Sequence, residues 1–405
     1  MRHAPLWLDG LPKGRRPSYP RLRGEQAARV AIVGGGLTGA ACAVSFAAAG
    51  IETVLLEADV VGAGMTARDP GILREGFAGS FHEAVGAHGL RTSRTAWDVM
   101  RRGALDFSAA LRRYAIKCQL EPAGHVLFAG RDAEAGRILR REYQTRHDAG
   151  IDGSWMSPAT ISRETALESA GGLRTHAAVL DPYRACFGLI AAAAKRGAAI
   201  YEKSRVRRIR SGKGWVDVVT DGGAVRAEVV LVATAAPIQD LRALRRHLRA
   251  EQAYGVVTEP LSAPLRRQVG NREAVLEDAH EPGRFVRWLA GDRILVHGAR
   301  QAEVPPQSRE RALVQRTGQL MYELSLRYPA ISGLPPSQSW DGVDYDTADG
   351  LPLLGPHRNF PRHLFAFGSA KHGAGLAWVA ARLALRHFQG EATRADDALG
   401  FHRIL

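Results

Sequence analysis

The spacing of apolar and polar positions changes period several times along the chain. Arg29 to Val33 is a short, uninterrupted, β-branched run, the pattern of a strand covered on both faces in a parallel sheet. A glycine cluster and an Ala-rich helical stretch follow to Ala49, Gly50 supplies a stop, and Glu52 to Glu57 reads as a second strand. The chain therefore opens as a βαβ unit. Glu83 to about Arg146 reads as largely helical, with Leu105, Phe107, Leu111 and Tyr114 as its apolar stripe. Asp181-Pro182 predicts an N-cap and first-turn proline for a helix through Ala194 that Gly197 ends. A strand around Ile200 comes next, then a hairpin of Trp215 to Thr220 with Ala224 to Ala233, turned at Asp221-Gly222-Gly223. Residues 250–300 alternate like strands and 306–328 like one amphipathic helix. Trp340 to Gly355, a strand Leu364 to Phe367, a Gly-rich turn and a helix to about Phe388 close the pattern. Residues 1–28, rich in Pro, Arg and Gly, read as an extended arm anchored by Trp7 and Tyr19.

Length and composition narrow the class. With 405 residues, 45% of them hydrophobic, two or three domains with a sizeable core are expected. No window approaches the ~18 apolar residues of a membrane span, and the first thirty residues carry Arg, Lys and Pro where a signal peptide needs an apolar run. A soluble, cytoplasmic protein is expected. Cys42, Cys118 and Cys186 show no C-x-x-C spacing, so neither a disulfide framework nor a metal site is expected. The net charge of +14 comes almost wholly from arginine, with lysine only at 13, 117, 195, 203, 213 and 371. Those arginines are scattered without aromatic interleaving, which predicts a solvated basic surface and no nucleic-acid partner.

Chemistry concentrates first at Gly34-Gly35-Gly36-Leu37-Thr38-Gly39, a G-x-G-x-x-G between a predicted strand and a predicted helix. Gly34 permits the tight turn, Gly36 lets a pyrophosphate approach the backbone beside Leu37 and Thr38, and Gly39 lets helix and strand pack closely. The helix N-terminus adds partial positive charge. Glu57, about 20 residues on, can accept hydrogen bonds from ribose hydroxyls. The fingerprint alone leaves NAD and FAD open.

Three further blocks carry a resemblance. Gly64-Met65-Thr66-Ala67-Arg68-Asp69-Pro70-Gly71-Ile72-Leu73, the segment Leu180 to Ala235, and Thr347-x-Asp349-Gly350-x-Pro352 with Gly355 and Gly368 to Gly373 are similar to the D-amino-acid oxidase superfamily of flavoproteins. That superfamily includes glycine and sarcosine oxidases, D-amino-acid dehydrogenases and γ-glutamylputrescine oxidases. The resemblance spans nearly the whole chain. It implies a Rossmann-like α/β FAD-binding domain (29–105, 165–240 and 340–405) interleaved with an α+β substrate domain on a mixed, largely antiparallel sheet (106–164 and 241–339). It also implies a non-covalent FAD beside Ala63, Thr66, Ala67, Arg68, Gly71 and Ile72, with Val206, Ala233 and Thr234 at the adenine side. Gly368, Gly373, Gly375 and Leu376 would open the last helix toward the flavin. Lys371 and His372 in that turn are candidate catalytic cations.

The sequence departs from the superfamily pattern in ways that bear on the substrate. Asp344 stands where glycine-oxidase-like members carry a carboxylate-binding arginine, so Asp344 would attract a cationic or hydroxylated substrate part. Arg74 resembles the carboxylate anchor of sarcosine-oxidase-like members; a surface Glu such as Glu75 or Glu83 is the competing partner. The strand Ile294 to Gly298 lacks the oxygen-activating lysine, Gly342 replaces the covalent cysteine, and Asp69 and Ala235 replace asparagine and glycine. The implied activity is oxidation of the C–N bond of an amine or amino acid to an imine by hydride transfer to flavin N5, with oxygen or another acceptor. A flavoenzyme modifying a tRNA base and a non-catalytic flavin-binding protein are the alternatives.

Overall fold

The computed structural model describes the chain apart from residues 12, 13, 15, 282, 369, 370 and 405. Its centre is the strand Gly24–Val33, flanked in parallel by Thr53–Leu56 and by Gly223–Ala235. Ala199–Tyr201 and Phe360–Phe367 extend this sheet in parallel on either side, and Leu353–His357 closes one edge antiparallel. Val30, Ile32 and Leu55 pack into one apolar cluster, whereas Ala31, Val33, Val54 and Leu56 pack into another. Burial on both faces is why these strands read as continuous apolar runs. Helices Leu37–Ala48, Pro182–Ala194 and Leu376–Gln389 form the adjoining helical layer. Asp181 caps the second of them, its Oδ1 accepting from the Arg184 amide at 2.9 Å.

The second sheet runs Arg2–His3, Pro336–Thr347, Leu248–Thr258, Arg293–Ala302, Phe285–Leu289, Ala274–Asp278, Glu121–Phe128, Gly172–Val179 and Ile72–Arg74. Two joins are parallel, those of Arg2–His3 and of Glu121–Phe128 with Ala274–Asp278, and the rest are antiparallel. The architecture is therefore the expected two-domain α/β arrangement with a mixed, largely antiparallel second sheet. Helix Arg309–Arg327 packs against this sheet.

Several boundaries move. The first strand starts at Gly24, five residues before the apolar run, because its pairing with the long strand Gly223–Ala235 begins at Gly24 opposite Gly223. The arm is not simply extended: Arg2–His3 joins the second sheet, and Leu6–Asp9 forms a helical turn burying Leu6 and Trp7. The segment read as largely helical contains the strand Glu121–Phe128, and Leu105 points to solvent from helix Leu90–Arg113. The expected FAD-domain segments 29–105, 165–240 and 340–405 each include residues of the second sheet, in Ile72–Arg74, Gly172–Val179 and Pro336–Thr347. Short strands look alike in sequence, and only their distant partners decide which sheet takes them.

Candidate active site

Gly34 sits at φ +107°, and a Cβ there would lie 2.5 Å from the Ala233 carbonyl oxygen; one on Gly39 would overlap the Gly34 carbonyl oxygen. Glycine at these two positions is what lets helix Leu37–Ala48 start directly above the sheet. The Leu37 amide donates to Thr66 Oγ1 at 2.8 Å, and Gly36 as N-cap brings no side chain of its own. The helix N-terminus thus opens onto a cleft of about 490 Å³ whose floor includes Gly34, Gly36, Leu37 and Thr38.

Glu57 stands at the same end. Its two oxygens accept from the amides of Gly35 (2.7 Å) and Asp59 (2.8 Å); burial pushes its carboxyl above the ordinary value against the pull of those amides. Val206, Ala233 and Thr234 line this end too. Ala235 holds φ +62°, where glycine would cost about 1 kcal/mol less. A glycine cradle with no room for Cβ atoms, a helix N-terminus whose N-cap is the bare Gly36 and a carboxylate at ribose position fit a dinucleotide. Its pyrophosphate would lie against Gly36, Leu37 and Thr38.

The opposite end is built by alternation in two strands. In Pro336–Thr347, Trp340, Gly342, Asp344 and Asp346 share one face. Trp340 Nε1 donates to the Arg68 carbonyl (3.1 Å), and a Cβ at Gly342 would meet Met65 Cε at 2.7 Å and Arg68 Cδ at 2.9 Å. Arg68 in turn gives Nε to the Asp341 carbonyl and Nη1 to those of Ala63 and Gly64. Asp344 reaches the cleft wall, buried, with Oδ2 accepting from Arg300 Nη2 at 3.2 Å. Desolvation, against the pull of Arg300, pushes the Asp344 carboxyl up to about 7.

In Arg293–Ala302, Ile294 and Val296 face the core against helix Arg309–Arg327, so Leu295 and His297 face the other way. His297 lines the cleft; burial and Arg300 hold its imidazole down at about 3, so it is neutral. The pairing with Leu248–Thr258 then slips by one residue, and Ala299 takes φ +48°. This bulge re-aims Arg300 toward Asp344. Sequence reasoning missed His297 and Arg300. The two-residue period of the strand signals the first; nothing local signals the bulge.

The remaining candidates are distributed as follows. Thr66, Arg68, Gly373 and Leu376 line the cleft beside the helix Leu376–Gln389 N-terminus. Ala63, Ala67, Gly71, Ile72, Gly368 and Gly375 stand behind its walls: the Ala374 amide donates to the Ile72 carbonyl (3.0 Å), and Gly375 abuts Leu73. The expected Gly368–Gly373 turn includes residues 369 and 370, outside the described residues. Asp69 also lines the cleft, its Oδ1 accepting from the Gly71 amide at 2.7 Å, and burial pushes its carboxyl up to about 6.

Three expectations are corrected. His372 is no cation: its buried Nδ1 accepts from the Ala78 amide at 3.0 Å, and desolvation with the nearby Arg74 and Lys371 holds it at about 3. Lys371 points away from the cleft and is neutralised by Asp346 (2.5 Å) and Glu251 (3.0 Å). Arg74, too, is turned away: it pairs with buried Glu277 at 3.0 Å, not with Glu75, which takes Arg101, nor with Glu83. In each case a partner elsewhere in the chain engages the side chain before a substrate could.

Among the described residues no helix is long and apolar enough to cross a membrane. The chain is 27% identical over 376 residues to the gamma-glutamylputrescine oxidoreductase of Escherichia coli K12, covering 91% of this chain and 85% of that protein. The solved glycine oxidase of Geobacillus kaustophilus superposes with a TM-score of 0.75 at 21% identity, over 93% of this chain and 98% of that one. The L-proline dehydrogenase of P. horikoshii gives 0.75 at 17% identity, over 95% and 98%. The family model for DAO, FAD dependent oxidoreductase, matches residues 29–386, and with the dinucleotide cleft just described this chain belongs to that family and is an FAD-dependent oxidoreductase.

Proposed function

We propose that the chain oxidises the C–N bond of an amine, or of an amino acid with a cationic part, to an imine that water then hydrolyses. The observation that carries this is the cleft wall facing away from the adenine end. On it stand the buried Asp344 carboxyl, whose partner Arg300 lies outside the cleft lining, and the neutral imidazole of His297. Such a wall attracts an ammonium group and repels a small carboxylate. The E. coli relative, whose name gives an acylated diamine as its substrate, supports the same class. FAD held by the glycine cradle would supply the two-electron acceptor for the hydride that leaves the substrate carbon.

Hydride departs readily only from a neutral amine, whose nitrogen lone pair forms the C=N bond. In this reading Asp344 holds the ammonium and takes its proton. Transfer from an alkylammonium of pKa about 10 to a carboxyl near 7 costs about 4 kcal/mol, which desolvation of the ammonium in the cleft reduces. His297, uncharged and buried, can accept a hydrogen bond there but adds no positive charge. Attachment of FAD is non-covalent in this reading, since Gly342 occupies the cysteine position and the three cysteines are buried. Anaerobic bleaching of the bound flavin by a panel of alkylamines, N-acylated diamines and amino acids tests the proposal. Bleaching by amines with a free ammonium is expected; reduction by none of them would refute it.

A further inference from the structure

A second cavity, of about 620 Å³, lies across the loop Asp69-Pro70-Gly71 from the flavin cleft. Asp69 and Pro70 line the first cleft, while Trp7 and Arg287 line the second and hold the same loop from behind. Trp7 Nε1 donates to the Asp69 carbonyl at 2.8 Å, and Arg287 Nη1 to those of Pro70 and Gly71 at 2.9 and 2.6 Å. The walls mix apolar and aromatic side chains, Trp7, Val275 and Trp288 among them, with four carboxylates, Asp9, Glu121, Asp181 and Glu273, and as many arginines. A volume in this range suits a small molecule.

Arg287 is the unusual member. Only 6% of it is exposed, yet among the described residues no carboxylate stands within ion-pairing distance. The carboxylates whose charge reaches it are Asp69, Glu121 and Asp181. Asp69 is committed to the Gly71 amide, and Asp181 to the Arg184 amide and guanidinium. At the rim, Arg272 is paired with Asp292 and lies over the Trp288 ring at 4.8 Å. Glu121 is exposed at the wall of the same cavity, so the buried guanidinium is answered at close range only by carbonyls and by the Trp7 ring at 5.8 Å, and its charge has no ion-pair partner.

We propose that this cavity is a second binding site, for a small molecule with an anionic head and a flat apolar body, whose head pairs with Arg287 and whose body rests against Trp7 and Trp288. Because Arg287 grips the loop that walls the flavin cleft, occupancy is felt at the flavin without competition for the amine. The proposal is independent of the reaction assigned to the first cleft.

The test titrates the FAD-loaded protein with 8-anilinonaphthalene-1-sulfonate and, separately, with the neutral N-phenyl-1-naphthylamine, reading tryptophan-sensitised emission. The sulfonate is expected to bind at least tenfold more tightly than the neutral probe. Arg287→Gln should erase that preference, and Ala123→Phe, which fills the cavity from its wall, should weaken both probes at least tenfold. Flavin absorption read in parallel should show the flavin retained at saturation with either probe. Equal affinity of the two probes for the unaltered protein overturns the proposal whatever the variants do. So does sulfonate binding that Ala123→Phe leaves unchanged, or that a flavin-reducing amine displaces competitively.

Discussion

Arg74→Ala separates a substrate anchor from a structural ion pair. Arg74 is 5% exposed, its Nη2 donates to Glu277 Oε1 at 3.0 Å, and its guanidinium lies 4.9 Å from the centre of the Phe285 ring. Glu277 also pairs with His125 Nε2 at 2.8 Å and accepts from the Gly283 amide at 2.9 Å. Burial pushes the Glu277 carboxyl up, but Arg74 and then His125 outweigh it and hold it at about 2 against an ordinary 4.5. That difference corresponds to roughly 3 kcal/mol, in line with the ~3–5 kcal/mol lost when one partner of a buried pair is removed. The midpoint of thermal unfolding followed by flavin fluorescence should therefore fall by roughly 4–6 °C at pH 7 for a chain of 405 residues. Because the folded carboxyl titrates low, this stabilisation is present above pH 4.5 and lost as pH falls toward 2. The deficit of the variant should narrow below about pH 5, where Glu277 freed of Arg74 can protonate. KM for an amine or amino acid should move little. An unchanged unfolding midpoint with a KM raised a hundredfold would refute the structural reading and restore Arg74 as a carboxylate anchor.

Other outcomes follow from the same geometry. Gly36→Leu should yield protein without flavin, since its side chain would occupy the pyrophosphate floor and press on Thr66 Oγ1, which is 3.2 Å from even a Cβ; the visible flavin absorbance of the purified protein checks this. Acid precipitation should release free FAD to the supernatant, and flavin in the pellet would contradict non-covalent attachment. Because Asp344 ionises as pH rises through about 7, kcat/KM for an amine should climb through that range. Asp344→Asn should remove the limb and lower the rate constant for flavin reduction at least tenfold. Oxygen should reoxidise the reduced protein more slowly than artificial acceptors do, as Arg293–Ala302 presents the neutral His297 where a cation would be needed. Stopped-flow mixing with oxygen gives that rate directly.

The nucleotide end of the cleft was legible in the sequence because its logic is local. Gly34, Gly36 and Gly39 act within one strand-turn-helix, Glu57 ends the next strand, and both strands are apolar on both faces because both faces are covered. The parallel sheet, the capped helix at Asp181 and the hairpin turned at Asp221 to Gly223 follow from the same short-range rules. The substrate end was decided by tertiary structure. Arg74, Lys371 and His372 are the residue types a flavin site uses, but Glu277, Asp346 with Glu251, and the Ala78 amide reach them first. Such pairings join residues up to about three hundred positions apart, and no spacing along the chain encodes them. Arg300 reaches Asp344 where Ala299 and Arg300 together oppose the single residue Ala253, and which sheet takes a short strand is decided by its distant partner. A charged side chain's role is set by what surrounds it when the chain closes, since burial and the nearest opposite charge fix whether it is ionised and whether it has anything left to offer a ligand.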